Sequence, residues 1–167
     1  IQMFEYLIKN NFSEIVALSD LSETNIDKNI SYLKKIQNKK PDIYSDDIHS
    51  WKQLVKRDDI DLVIVATPWS THTEMCVYSM RNNKHVACEV PIATSLKDCW
   101  KIIEVAESTK KHCMMMENCC FNNEELWLLN MIDNDVFGNI NHAEGAYIHD
   151  LRKHLLDNDY YHNQWRI

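Results

Sequence analysis

The sequence predicts an α/β fold with a parallel sheet, followed by the start of an α+β domain. Short apolar, β-branched segments alternate with amphipathic segments of about 10 to 15 residues. Two of the apolar segments run into polar residues and a proline, at 60–68 and 85–91. The pattern changes after Glu117. Strands and helices that alternate in this way are typical of βαβ units, whose strands lie parallel.

The elements follow in order along the chain. The apolar positions 26, 30, 33 and 36 recur at helical spacing and predict a helix. Ser95 is a good helix N-cap, with Asp98 three residues further on. We predict strands at 14–20, 43–44, 62–66, 85–88 and 112–116, and helices ending near residue 8 and spanning 23–38, 48–57, 73–82 and 96–110.

A second domain is predicted to begin near Asn118. Its first elements are a helix at 122–133 and a strand at 140–150, where small or apolar residues alternate with polar ones. We therefore divide the chain into 1–117, a nucleotide-binding domain, and 118–167.

Glycine is scarce, with Gly138 and Gly145 the two in the sequence. A complete dinucleotide-binding (Rossmann-type) domain carries glycines in its first turn. We therefore expect the first strand and its Gly-rich turn to lie before Ile1, and the second domain to continue beyond Ile167.

Composition excludes several classes of function. A net charge of -7 provides no basic surface for nucleic acid, and no apolar run approaches the roughly 20 residues of a membrane span. The six cysteines include no CxxC pair, so we predict free thiols and neither a disulfide framework nor a metal site. His85 and Cys88 lie three apart on a predicted strand, hence on opposite faces, and are poor joint ligands.

Asp20 is the first candidate for cofactor binding. An acid at the end of the second strand of a dinucleotide-binding fold accepts hydrogen bonds from the adenosine ribose and disfavours a 2′-phosphate, which selects NAD over NADP. A helix cap or a solvated loop acid is the alternative.

Further candidates follow the predicted strands, since open parallel sheets bind ligands at the carboxyl ends of their strands. Trp69 to His72 follow strand 62–66, Glu89 and Val90 follow strand 85–88, and Asn118 follows strand 112–116. The alternatives are that Trp69 packs on its own domain and that Glu89 to Pro91 form an ordinary turn, in which the X-Pro bond can be cis.

Tyr147 and His149 are candidates in the second domain. On the predicted strand they are two apart and share a face. Tyrosine and histidine together can bind a sugar or move a proton. A surface sheet with aromatic packing is the alternative.

These motifs together resemble a known family. Thr67-Pro68-x-x-x-His72 and Lys84 to Glu89-x-Pro91 look like the Gfo/Idh/MocA group of NAD(P)-dependent oxidoreductases. Most members have a catalytic lysine where this chain has Val90, which disfavours an ordinary sugar dehydrogenase. One branch, the glycoside hydrolase family 109 α-N-acetylgalactosaminidases, is similar throughout the chain, at 67–72, 89–91, 111–120, 129–131, 137–138 and 146–152.

The resemblance implies roles for individual residues. The positions that match NAD contacts are Asp20, Trp69, Ser70, Thr71, His72, Glu89, Val90, Asn118 and Trp165. The positions that match substrate contacts are Tyr147 and Arg166. The family's remaining catalytic residues are expected beyond Ile167, so we expect this stretch alone to be inactive.

The resemblance also implies a reaction. Family 109 enzymes hydrolyse terminal α-N-acetylgalactosamine through oxidation, elimination, addition and reduction, with NAD regenerated in each cycle. The alternatives are an NAD-dependent sugar oxidoreductase of the wider group and a non-catalytic relative. A glycan substrate, a homo-oligomer and export to the bacterial periplasm are further expectations, with a cytoplasmic location as the alternative.

Overall fold

The computed structural model describes residues 1, 4–146, 148–152 and 154. Five parallel strands and six α-helices alternate along this part of the chain. The strands are β1 (Ala17–Ser19), β2 (Asp42–Tyr44), β3 (Leu62–Val65), β4 (His85–Cys88) and β5 (Cys113–Met115). The helices are α1 (Glu5–Lys9), α2 (Glu23–Leu33), α3 (Trp51–Val55), α4 (Trp69–Arg81), α5 (Leu96–Thr109) and α6 (Asn123–Asp133), with a 3-10 helix at Asn118–Phe121.

The strands form two parallel sheets, β1-β2 and β3-β4-β5. In the larger sheet Val65, Cys88 and Met115 stand side by side, so its three strands end at the same edge. The predicted Rossmann-type α/β fold with parallel sheets is confirmed.

The core lies between one face of the larger sheet and helices α4 and α5. Val65, Val86 and Cys88 project from the sheet into this core, where they meet Met80 of α4 and Val105 of α5. These side chains are at most 5% exposed. Burial of such apolar side chains contributes about 1.5–3 kcal/mol each, so this layer anchors the fold.

The opposite face of the same sheet is less covered. Ile64, Ala87 and Met114 are register partners and therefore share a face. Ile64 and Met114 are 38% and 47% exposed, whereas the central Ala87 is buried.

Helix α3 connects the two sheets. It contacts β1 and β2, and its Trp51 packs edge-on against Tyr78 of α4, with ring centroids 5.2 Å apart. Lys52 of α3 pairs with Glu74 of α4 at 2.9 Å. Just after α3, the Arg57 carbonyl accepts a hydrogen bond from the Lys84 ammonium group.

Most predicted elements are confirmed, with two informative differences. Helix α4 begins at Trp69 rather than at residue 73, since Pro68 occupies the N-cap and the buried side chain of His72 holds the first turn in place. The predicted strand at 140–150 is wrong for its described residues, which form no strand. Alternation of polar and apolar residues does not make a strand without a partner strand to accept its hydrogen bonds.

Candidate functional site

The candidate site is the edge of the larger sheet where β3, β4 and β5 end. The Glu89 N–H donates to the Val65 carbonyl across 2.8 Å, and the Met116 N–H donates to the Cys88 carbonyl across 2.8 Å. The hydrogen-bond ladder between β3 and β4 therefore continues one residue past the end of β4, and the ladder between β4 and β5 continues one residue past the end of β5. As predicted, the segments after these strands leave the sheet at one edge, where an open parallel sheet binds ligands.

The turn from β3 into α4 is held by hydroxyl groups. Thr71 Oγ1 donates to the Pro68 carbonyl at 2.7 Å and lies 2.7 Å from Thr67 Oγ1. Trp69 is half-buried and Ser70 is exposed. Because the helix starts at Trp69, the candidate residues Trp69 to His72 form its first turn.

His72 is enclosed completely, at 0% exposure. Its Nε2 lies 2.7 Å from the Thr67 carbonyl oxygen, and its Nδ1 lies 2.8 Å from the Pro91 carbonyl oxygen. The ring therefore spans the segments that follow β3 and β4. A direct contact between His72 and NAD stays a prediction, and the contacts described for this side chain are made to backbone.

The segment after β4 carries Glu89, Val90 and Pro91. Glu89 is half-buried, and Val90 is 36% exposed. The Val90–Pro91 peptide bond is cis, the isomer that the sequence admits. Asn118, beyond the end of β5, is exposed and opens the 3-10 helix.

Asp20 follows β1 and takes part in the start of α2. One carboxylate oxygen accepts from the Ser22 N–H at 2.8 Å, and the other accepts from Asn25 Nδ2 at 3.2 Å. Ser22 is itself the N-cap, since its side chain accepts from the Asn25 N–H. A carboxylate oxygen has two acceptor sites, so these contacts leave acceptor capacity for ribose hydroxyls.

Sequence reasoning overlooked two groups at this site. Asn25 orients the Asp20 carboxylate, and an amide at the third position of a helix that begins with a serine cap is a signal that could have revealed it. The Pro91 carbonyl receives His72, and no local sequence pattern indicates that contact. The candidates Tyr147, Trp165 and Arg166 lie outside the described residues.

Three thiols lie in the core beneath this edge of the sheet. Cys76 and Cys88 are fully buried and Cys113 is half-buried. A hydrogen bond with Cys113, joined by one with Cys88 and by burial, raises the pKa of Cys76, and the same bond with Cys76 lowers the pKa of Cys113. All six cysteines are free, and the described part of the chain holds no group of three or more side chains suited to a metal ion.

Comparison with known families agrees with this geometry. Residues 4–117 match the model of the GFO_IDH_MocA oxidoreductase family, NAD-binding Rossmann fold. The chain belongs to this family. Residues 121–166 match a second model, the C-terminal domain of glycosyl hydrolase 109. The predicted resemblance to the Gfo/Idh/MocA group and to its family 109 branch is thereby confirmed.

Curated relatives carry names that agree with the second model. An α-N-acetylgalactosaminidase from Bacteroides fragilis is 47% identical over 155 residues, which cover 91% of this chain and 36% of that protein. A glycosyl hydrolase family 109 protein from Shewanella putrefaciens is 42% identical over 153 residues, which cover 92% of this chain and 33% of that protein. The chain thus spans about a third of the length of these relatives.

Solved structures share the fold. The apo scyllo-inositol dehydrogenase from Lactobacillus casei superposes with a TM-score of 0.68 at 16% identity, over 83% of this chain and 39% of that one. A probable dehydrogenase from Thermotoga maritima superposes with a TM-score of 0.66 at 21% identity, over 80% of this chain and 38% of that one. In the part of the chain that the structure describes, no helix has the length and apolar character to span a membrane.

Proposed function

We propose that the full-length protein is an NAD-dependent glycosidase that removes terminal α-N-acetylgalactosamine. The observation that carries this proposal is the joint match to an NAD-binding domain and to the family 109 C-terminal domain, together with 47% identity to an α-N-acetylgalactosaminidase. The common edge of β3, β4 and β5 supports the cofactor part of the proposal.

The residues that follow β1, β3, β4 and β5 fit NAD by their chemistry. Asp20 offers a carboxylate to the hydroxyls of the adenosine ribose, with both of its oxygens already oriented by Ser22 and Asn25. The exposed hydroxyl of Ser70 and the half-buried Trp69 lie in the first turn of α4. The proposed set also includes Thr71, His72, Glu89, Val90 and Asn118. Where bound, NAD supplies a reversible hydride acceptor, which the proposed oxidation, elimination, addition and reduction sequence requires.

The chain's own part in this reaction is to orient the cofactor. The described residues supply backbone groups, hydroxyls and carboxylates at the sheet edge, and these bind and align rather than break bonds. We assign substrate contacts to Tyr147 and Arg166 and a further cofactor contact to Trp165. The protein is further proposed to act on glycans outside the cytoplasm and to form homo-oligomers.

The test is an assay of the full-length protein with p-nitrophenyl α-N-acetylgalactosaminide and catalytic NAD. We expect release of p-nitrophenol with the free sugar as product and no net NADH. The matching α-galactoside, which lacks the acetamido group, is the control and is expected to react more slowly.

A sugar oxidoreductase is the second candidate, since the structural neighbours include dehydrogenases of the same fold. Val90, in place of the lysine common in that group, disfavours it. Stoichiometric NADH and a keto-sugar product would establish this second function. NAD binding without either reaction would indicate a non-catalytic relative.

A further inference from the structure

His72 spans the two segments between which the proposed cofactor site opens. Its ring nitrogens lie 2.7 Å from the Thr67 carbonyl and 2.8 Å from the Pro91 carbonyl. Thr67 lies two residues after β3, and Pro91 lies three residues after β4. The two carbonyls are 24 residues apart in sequence and are joined through one side chain.

The chemistry of these contacts makes the bridge specific. A carbonyl oxygen only accepts hydrogen bonds, so the ring bonds to it through a nitrogen that carries a proton, and the tautomer decides which nitrogen that is. Histidine is the natural side chain that carries two polar nitrogens on a flat five-membered ring, each able to face a different segment. Because His72 is 0% exposed, solvent does not compete with the ring for these two carbonyls in the folded protein.

The bridge lies just beyond the last backbone contact between the two strands. The Glu89 N–H bonds to the Val65 carbonyl at 2.8 Å, and the residues that follow lie outside both strands. The candidate residues Trp69 and Ser70 follow on one side, and Glu89 and Val90 lie on the other. The His72 ring therefore acts where the sheet no longer sets the distance between them.

We propose that His72 is a positioning residue, which sets the separation of the segments after β3 and β4 and acts on NAD through them. This inference rests on the proposed NAD site. It assigns to His72 a role in cofactor affinity and alignment that depends on its two contacts with backbone carbonyls.

The test compares His72→Gln, His72→Asn and His72→Ala in the full-length protein. Glutamine and asparagine each provide one amide donor group and can keep one of the two bonds, whereas alanine keeps neither. We expect the Kd for NAD, measured by titration calorimetry, to rise at least about 10-fold in His72→Ala and by less in the amide variants. We expect kcat to fall in the same order, with the KM for the glycoside changed by less than about 3-fold.

Ser79→Ala is the matched control. Ser79 lies on the same helix, is 0% exposed, and its hydroxyl has no hydrogen-bond partner among the described residues. This variant is expected to keep the wild-type Kd and kcat.

The outcomes separate the two proposals. A wild-type protein that does not bind NAD overturns the proposed function and this inference with it. A wild-type protein that binds NAD, combined with unchanged Kd and kcat in the His72 variants below their melting temperatures, overturns the positioning role alone. If His72→Ala does not fold, the amide variants decide: a Kd and kcat equal to those of the wild type overturn the role, and intermediate values support it.

Discussion

The backbone N–H of Glu89 lies 2.8 Å from the carbonyl oxygen of Val65 and donates to it. The contact extends the β3–β4 ladder to a residue outside both strands, so the backbone of Glu89 is as firmly placed as the sheet. A carboxylate on such a rigid support can bind a ligand without first being ordered. This relationship makes Glu89 the first residue to test.

Glu89→Gln is expected to weaken NAD binding about 10-fold, because a bond from a ribose hydroxyl to a neutral amide is weaker than one to a carboxylate. Glutamine keeps the size of the side chain, so the melting temperature should change little. Titration calorimetry of the full-length protein measures the effect. Glu104→Gln, an exposed acid on α5, is the control, and an unchanged Kd in Glu89→Gln would contradict the assignment.

Asp20→Ser is expected to alter the choice between the two dinucleotides. Removing the carboxylate deletes an acceptor for the ribose hydroxyls and also the charge that repels a 2′-phosphate. Affinity for NAD should fall and affinity for NADP should rise, both measured as Kd on the same preparation. Asp27→Ser, at an exposed position on α2, should leave the ratio of the two constants unchanged. A parallel loss of both affinities would instead indicate that Asp20 only supports the helix.

Ser95→Ala should destabilise the protein by about 1 kcal/mol through the loss of a helix cap. Ser95 Oγ accepts from the Asp98 N–H at 3.1 Å and donates to the Asp98 carboxylate at 2.7 Å. Urea unfolding measures the change. Ser95→Thr keeps the hydroxyl and should recover most of the stability, and equal losses in both variants would argue against capping.

Acid sensitivity is expected from the ion pair of Asp59 with Arg57. The guanidinium binds both carboxylate oxygens, at 2.8 and 2.6 Å, and its hydrogen bonds lower the pKa of Asp59 from the ordinary 3.8. Since the folded pKa lies below the unfolded one, this stabilisation is present above the unfolded pKa and is lost as pH falls through the folded pKa.

Melting curves of the wild type and Asp59→Asn from pH 7 to pH 3 test this. The melting temperature of Asp59→Asn should be lower than that of the wild type at neutral pH, and the difference between the two melting temperatures should shrink towards pH 3. Asp58→Asn, its exposed neighbour, is the control. A difference that stays constant across the range would show that charge is not its source.

The buried thiols should be protected from alkylation. Cys76 and Cys88 are 0% exposed, and the raised pKa of Cys76 further lowers its thiolate fraction. With iodoacetamide under native conditions, peptide mapping should find both unmodified while the exposed Cys99 reacts. All six cysteines should react in guanidinium chloride. Rapid native labelling of Cys88 would contradict the described core.

Local sequence predicted much of the fold because strand and cap signals are short-range. Strand 85–88 has the predicted bounds, and Ser95 caps α5 as expected. Each depends on residues within a few positions: a run of apolar side chains, or a hydroxyl and the N–H three residues on. The convergence of Thr67, Glu89 and Asn118 on one sheet edge followed from the parallel order of the strands alone.

The tertiary structure decided where α4 begins and whether the alternating segment near the end of the described chain forms a strand. The hydrogen-bond partners of His72 are Thr67 and Pro91, five and nineteen residues away. These contacts stabilise the first turn of α4, which begins at Trp69 although its residues are only moderate helix formers. Residues 140–146 and 148–150 have an alternating pattern but form no strand, because a strand requires the backbone of another segment. The sequence by itself thus determined most of the strands and helices, and which residues follow the strands at the edge of the sheet. Only the three-dimensional packing decided that His72 bridges the segments after β3 and β4, since Pro91 lies nineteen residues away and no local pattern links the two.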